Sequence, residues 1–99
     1  MLKHIVAWKL NGETPEDVDV QAAKIKQLLE ALAGVIPEIT TIAVVRNVVA
    51  SATNSDVAVV SEFADEAALN AYLQHPAHLA AGTYIKSVTA SRAAIDYIV

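Results

Sequence analysis

Two runs of β-branched residues, ITTIAVVRNVV from Ile39 to Val49 and DVAVVSEF from Asp56 to Phe63, are apolar at odd and even positions alike. Side chains alternate between the faces of a strand, so Ile42, Val44 and Val48 share one face while Ala43, Val45 and Val49 share the other. In the second run Val57, Val59 and Phe63 stand opposite Ala58 and Val60. A sheet made of such strands needs cover on both faces. The turn-prone ASATNS between the runs predicts a hairpin.

The remaining segments supply two more strands and the helices. From Leu2 to Leu10 the chain alternates, with Leu2, His4, Val6, Trp8 and Leu10 on one face and Lys3, Ile5, Ala7 and Lys9 on the other. His4 therefore shares the apolar face. In NGETPEDV, Thr14 reads as an N-cap, Pro15 as the first helical residue and Asp17 as a short capping-box acid. Val18, Ala22, Ile25, Leu28, Leu29 and Leu32 recur at helical spacing, and Gly34 is expected as the C-terminal cap, with Pro37 beyond it. Asp65 is expected to cap a second helix with Ala68, Leu69, Tyr72 and Leu73 along one side. His75 precedes Pro76, and a residue before proline is driven out of the α region, so this helix is expected to break there and restart, running to about Thr89. Ala93 to Val99 closes the chain as a strand.

The order strand, helix, strand, strand, helix, strand predicts one α+β domain over residues 1–99, ferredoxin-like, βαββαβ, with an antiparallel four-stranded sheet. Helices can cover only one face of that sheet. The apolar content is 55% without counting glycine, against about 45–50% with it in ordinary domains, and this surplus points to a homodimer whose sheets pack face to face or close into a barrel.

Seven Lys and Arg against eleven Asp and Glu give a net charge of -4, which excludes the basic footprint of a nucleic-acid binder. No apolar run reaches the roughly 20 residues of a membrane span, and MLKHIVAWKLNGE lacks an h-region, so no membrane partner is expected and the chain reads as a cytoplasmic protein. With no cysteine, neither disulfides nor thiolate chemistry are available.

The residues that could carry chemistry are His4, Tyr72, His75 and His78. Histidine titrates near neutrality, and a tyrosine hydroxyl can donate a hydrogen bond to a developing oxyanion, a pairing suited to enolate chemistry with no cofactor. Each also has an ordinary structural explanation: His4 as a hydrogen-bonded core histidine, Tyr72 as a buried ring with its hydroxyl at the edge, His75 as the N-cap of the restarted helix. His78 falls in the first helical turn, where the positive end of the helix dipole disfavours an imidazolium and leaves a neutral base. His4, His75 and His78 can alternatively be read as a three-histidine zinc site.

HIVAWKL, AYLQHPAH and AIDYIV together make nearly the whole chain resemble the stress-responsive dimeric α/β-barrel (Dabb) domain family. The resemblance implies the ferredoxin-like fold and a homodimeric barrel. It also implies a similarity to polyketide cyclases of the olivetolic acid type, which close a poly-β-ketone without metal or organic cofactor. Matched by motif, His78 is then the catalytic base, Tyr72 polarises the substrate carbonyl and His4 helps to position the pair. Ala77, Ala80 and Ala81 around His78 depart from that pattern, so the substrate does not carry over. The expected function is a cofactor-independent cyclase, lyase or isomerase acting on a small carbonyl compound. A non-catalytic stress-responsive or small-ligand-binding dimer and a cofactor-free monooxygenase are the alternatives.

Overall fold

The computed structural model describes residues 1–99. The expected caps form. Thr14 Oγ1 accepts from the N–H of Asp17 at 3.1 Å and Pro15 takes the first helical position, starting α1 (Pro15–Glu30). Asp65 Oδ1 accepts from the N–H of Ala68 at 2.8 Å at the start of α2 (Glu66–Gln74). His75 is extended, at φ -64° and ψ 135°, and α3 (Pro76–Val88) begins immediately after it.

The strands are β1 (Leu2–Leu10), β2 (Ile39–Arg46), β3 (Val57–Phe63) and β4 (Thr89–Ile98). They form a ferredoxin-like α+β fold with the sheet order β2-β3-β1-β4, every neighbouring pair antiparallel. In the central strand β1, His4 stands opposite Ser61 of β3 and Asp96 of β4, while Trp8 stands opposite Val57 and Arg92. Directly opposed residues point to the same face, so β1 and its neighbours share these side-chain rows.

Three boundaries differ from the sequence expectation. Gly34 is not a left-handed cap: α1 tightens into a 3-10 turn (Ala31–Gly34), the Leu32 carbonyl accepts from Val35 and Ile36 at 3.0 and 2.9 Å, and no residue has positive φ. β2 ends at Arg46 rather than Val49, because the Asn47 side chain donates to the Val49 carbonyl at 2.8 Å and accepts from Asn54 at 3.0 Å, closing a loop in place of the ladder. β4 begins at Thr89 rather than Ala93, because the ladder with nine-residue β1 continues to Leu10, where it meets Thr89.

The core lies between one sheet face and the helices. Val6 and Trp8 of β1, Val59 and Phe63 of β3, and Ile25 and Leu29 of α1 are all buried there. On β2, an edge strand, Glu30 accepts from the Val44 N–H at 3.0 Å and from Lys26 at 2.7 Å, while Lys26 donates to the Val44 carbonyl at 3.1 Å. Those bonds occupy edge groups that would otherwise be open to a foreign strand. The Lys26 ammonium and the Val44 amide hold the Glu30 carboxyl below its ordinary range.

The opposite sheet face has no cover within the chain: Val45 is 48%, Ile95 60% and Tyr97 40% exposed. The helical layer also stops short of β4, which is exposed on both faces from Ala90 onward. Phe63→Ala should lower stability by about 3–5 kcal/mol, read as a lower urea midpoint at unchanged slope. A loss under about 1 kcal/mol would remove Phe63 from the core.

Candidate functional site

The break between α2 and α3 builds one wall of the site. The His75 N–H donates to the Tyr72 carbonyl at 3.2 Å, closing α2, and His75 Nδ1 accepts from the Ala77 N–H at 3.0 Å, opening α3. His75 is therefore committed to capping. It does not join His4 and His78, and no group of three or more His, Asp or Glu side chains is gathered as a metal site requires, so the three-histidine zinc reading is overturned.

Tyr72, in the last turn of α2, and His78, in the first turn of α3, face each other with ring centroids 4.4 Å apart. His78 Nδ1 lies 3.1 Å from the Leu73 carbonyl, which can only accept, so Nδ1 carries the proton and Nε2 of the neutral ring holds the free lone pair. Burial lowers the His78 pKa below its ordinary 6.5, the bond to the Leu73 carbonyl partly opposes this, and electrostatic interaction with His4 and Lys86 lowers it further. The ring is a neutral base at physiological pH.

Tyr72 is 1% exposed, and burial pushes its phenol up to about 12, so it remains protonated. No protein group accepts from its hydroxyl, yet no enclosed side-chain oxygen or nitrogen lacks a partner, so the hydroxyl opens onto the adjoining cavity. Here is a hydrogen-bond donor with nothing in the chain to serve.

His4 enters from β1. Its Nδ1 donates to Asp96 Oδ1 across the β1–β4 ladder, and its backbone carbonyl accepts from Ser61 Oγ at 3.1 Å. Its ring meets Tyr72 edge-on at 6.3 Å, and Phe63 closes the cluster 4.9 Å from Tyr72. The three predicted residues His4, Tyr72 and His78 all line one cavity of about 370 Å³, floored by apolar side chains of β1 and β3. It lies between α3 and the sheet, on the side where the helical layer ends.

Across residues 2–99 the chain matches the family described as the Stress responsive A/B Barrel Domain. The chain belongs to the Dabb family. This Dabb protein is 34% identical to a dimeric protein of unknown function and ferredoxin-like fold from Bacteroides fragilis, covering 99% of this chain and 95% of that one with a TM-score of 0.88. It is 30% identical to a dimeric ferredoxin-like protein of unknown function from Thermobifida fusca, covering 99% and 90% with a TM-score of 0.83. Hydroxynitrile lyase from Passiflora edulis shares the fold at 17% identity, covering 99% and 92% with a TM-score of 0.83. A search of curated proteins returns no match. No helix of this Dabb protein is long and apolar enough to cross a membrane.

Sequence reasoning missed Asp96, Lys86 and Arg92. Asp96 had a legible signal, as the lone acid in the apolar strand AAIDYIV, but its pairing with His4 depends on the β1–β4 register. Lys86 and Arg92 carry no local signature.

The depressed His78 pKa has a consequence for stability. Between pH 6.5 and its folded pKa the unfolded chain holds the extra proton, so the His78 contribution is complete above 6.5 and is lost as pH falls through the folded value. His78→Gln should make the melting temperature less sensitive to acid across that window. An identical acid slope in both proteins would contradict the assignment.

Proposed function

We propose that this Dabb protein is a cofactor-independent acid–base enzyme of the cyclase, lyase or isomerase type, acting on a small carbonyl compound. The observation that carries the reading is the pairing, in one cavity, of a neutral histidine with its Nε2 free and a protonated tyrosine whose hydroxyl has no protein acceptor. His78 Nε2 takes a proton from the carbon beside the substrate carbonyl. The C–H electron pair moves into the carbon–carbon bond, and the carbonyl oxygen, now an enolate oxyanion, accepts from the Tyr72 hydroxyl. The enolate then attacks a second carbonyl, whose alkoxide takes the proton back from His78, or expels a leaving group from the β-carbon, or, where it is conjugated to a further double bond, is reprotonated at the γ-carbon by His78. His4, oriented by Asp96, holds the far side of the reacting group.

The working unit is a homodimer. The uncovered sheet face, with Val45, Ile95 and Tyr97 exposed, and the dimeric state of the Bacteroides fragilis and Thermobifida fusca relatives support this assembly. Light scattering at micromolar concentration should give a mass near twice 10.5 kDa. A monomer would leave the second apolar face bare and defeat the assembly.

Loss of α-proton signal from medium-chain methyl ketones in heavy water, followed by NMR, tests the chemistry. The wild-type protein should accelerate exchange, and His78→Ala should abolish that acceleration. Tyr72→Phe should slow exchange by about 10²-fold or more while costing less than about 1 kcal/mol of stability, since no protein hydrogen bond is lost. Tight ketone binding without exchange would favour the non-catalytic small-ligand-binding reading. Tyr72→Phe that chiefly unfolds the protein would assign the hydroxyl a structural role.

A further inference from the structure

The cavity has a second polar end. Lys86 of α3 and Arg92 of β4 line it, and neither takes part in any of the chain's ion pairs. No Asp or Glu lines it, although acids outnumber Lys and Arg eleven to seven in the sequence. A net-negative protein thus presents an apolar cavity whose only permanently charged lining groups are cations.

Both walls place this cationic end at the same distance from the acid–base end. His78, Gly82 and Lys86 are successive turns of one face of α3 and all line the cavity, so His78 and Lys86 are separated by about 12 Å of helix. On the sheet side, His4 with Asp96 and Trp8 with Arg92 are paired rows four residues apart, or about 13 Å. Long Lys and Arg side chains reach inward from that spacing, leaving room for several carbons between the two ends.

Gly82 lies midway. Its φ is not positive, and a Cβ added there would meet nothing within 4 Å, so neither backbone conformation nor packing requires glycine. Glycine inside a helix is unfavourable relative to alanine. Its effect here is to keep the α3 wall clear between the two ends.

We propose that the cavity takes an anionic carbonyl compound, its carboxylate held by Lys86 and Arg92, its chain lying over Gly82 and its carbonyl at Tyr72 and His78. The Arg92 guanidinium suits a planar carboxylate, and the Asp96 carboxylate behind His4 repels an anion from the opposite end, which fixes the direction of binding. The substrate class is a keto acid whose two functional groups are separated by several methylenes. This inference rests on the acid–base reading of the same cavity.

The test uses 7-oxooctanoate and its methyl ester as probes, with binding to the intact protein measured by calorimetry and α-proton exchange measured separately. The acid should bind at least tenfold tighter than the ester, and added salt should narrow the gap. The double variant Lys86→Gln, Arg92→Gln should bind both probes equally, with an unchanged melting temperature because both side chains are exposed. His78→Ala should retain the preference for the acid. Gly82→Ala should raise the melting temperature and weaken binding of the acid. Equal affinity for acid and ester, a preference that survives in the double variant, or failure of both probes to bind at millimolar concentration would each overturn the proposal. Exchange of the ester as fast as the acid, without a binding preference, would remove the anion site and leave the acid–base reading standing. A preference for the acid without exchange of either probe would do the reverse.

Discussion

The peptide joining His75 to Pro76 is the joint on which the helical layer and the cavity both depend. The proline ring excludes His75 from the α region, and the observed ψ of 135° turns the chain at that point. Were the helix unbroken, Tyr72 and His78 would be six residues apart on one cylinder, about 120° away from each other around its axis, and could not face one another. With the break, the last turn of α2 and the first turn of α3 meet at an angle and the Tyr72 and His78 rings come together tilted, with centroids 4.4 Å apart. His75 stabilises both sides of that joint, its N–H closing α2 and its Nδ1 opening α3. A motif that looks like a cluster of three reactive side chains thus divides into a hinge and the pair the hinge brings together.

A second constraint is the mismatch between the helical layer and the sheet. The helices cover β1, β2 and β3 on one side and end before β4, so the cavity opens where the cover stops. The core beneath is closed by Phe63, Val59, Ile25 and Leu29, which fix the floor against which Tyr72 is buried. That burial raises the Tyr72 pKa and lowers that of His78, so the packing that stabilises the fold also reinforces the protonated phenol and the neutral imidazole of the cavity. The uncovered face on the far side of the sheet is a separate surface. The two faces of one sheet therefore divide the work, one enclosing the cavity and one left for association.

Much of this was legible in the residues. Capping by Thr14 and Asp65 and the pre-proline break at His75 are local effects with short-range causes, and they formed as expected. The even-numbered face of β1, with His4 among apolar side chains, followed from alternation alone. Boundaries failed where a nonlocal partner intervened: β4 is longer than its own composition suggests because β1 offers it a ladder, and β2 is shorter because Asn47 and Asn54 close the loop. Gly34 carried the usual signal for a helix cap, but two amides donating to the Leu32 carbonyl satisfied that terminus without a left-handed residue.

The sequence by itself determined the order of elements, the face to which each strand residue points, the site of the helix break, and the excess of apolar surface that one chain cannot bury. Periodicity and backbone sterics act over a few residues, which is why they can be read without a structure. The tertiary structure decided which residues share a site: Asp96 bonds His4 across 92 positions of chain, and Lys86 and Arg92, on a helix and a strand, line the same cavity as His4, Tyr72 and His78. Those pairings depend on strand register and on where the helical layer ends, and both are set by the packing of the whole domain rather than by any local stretch.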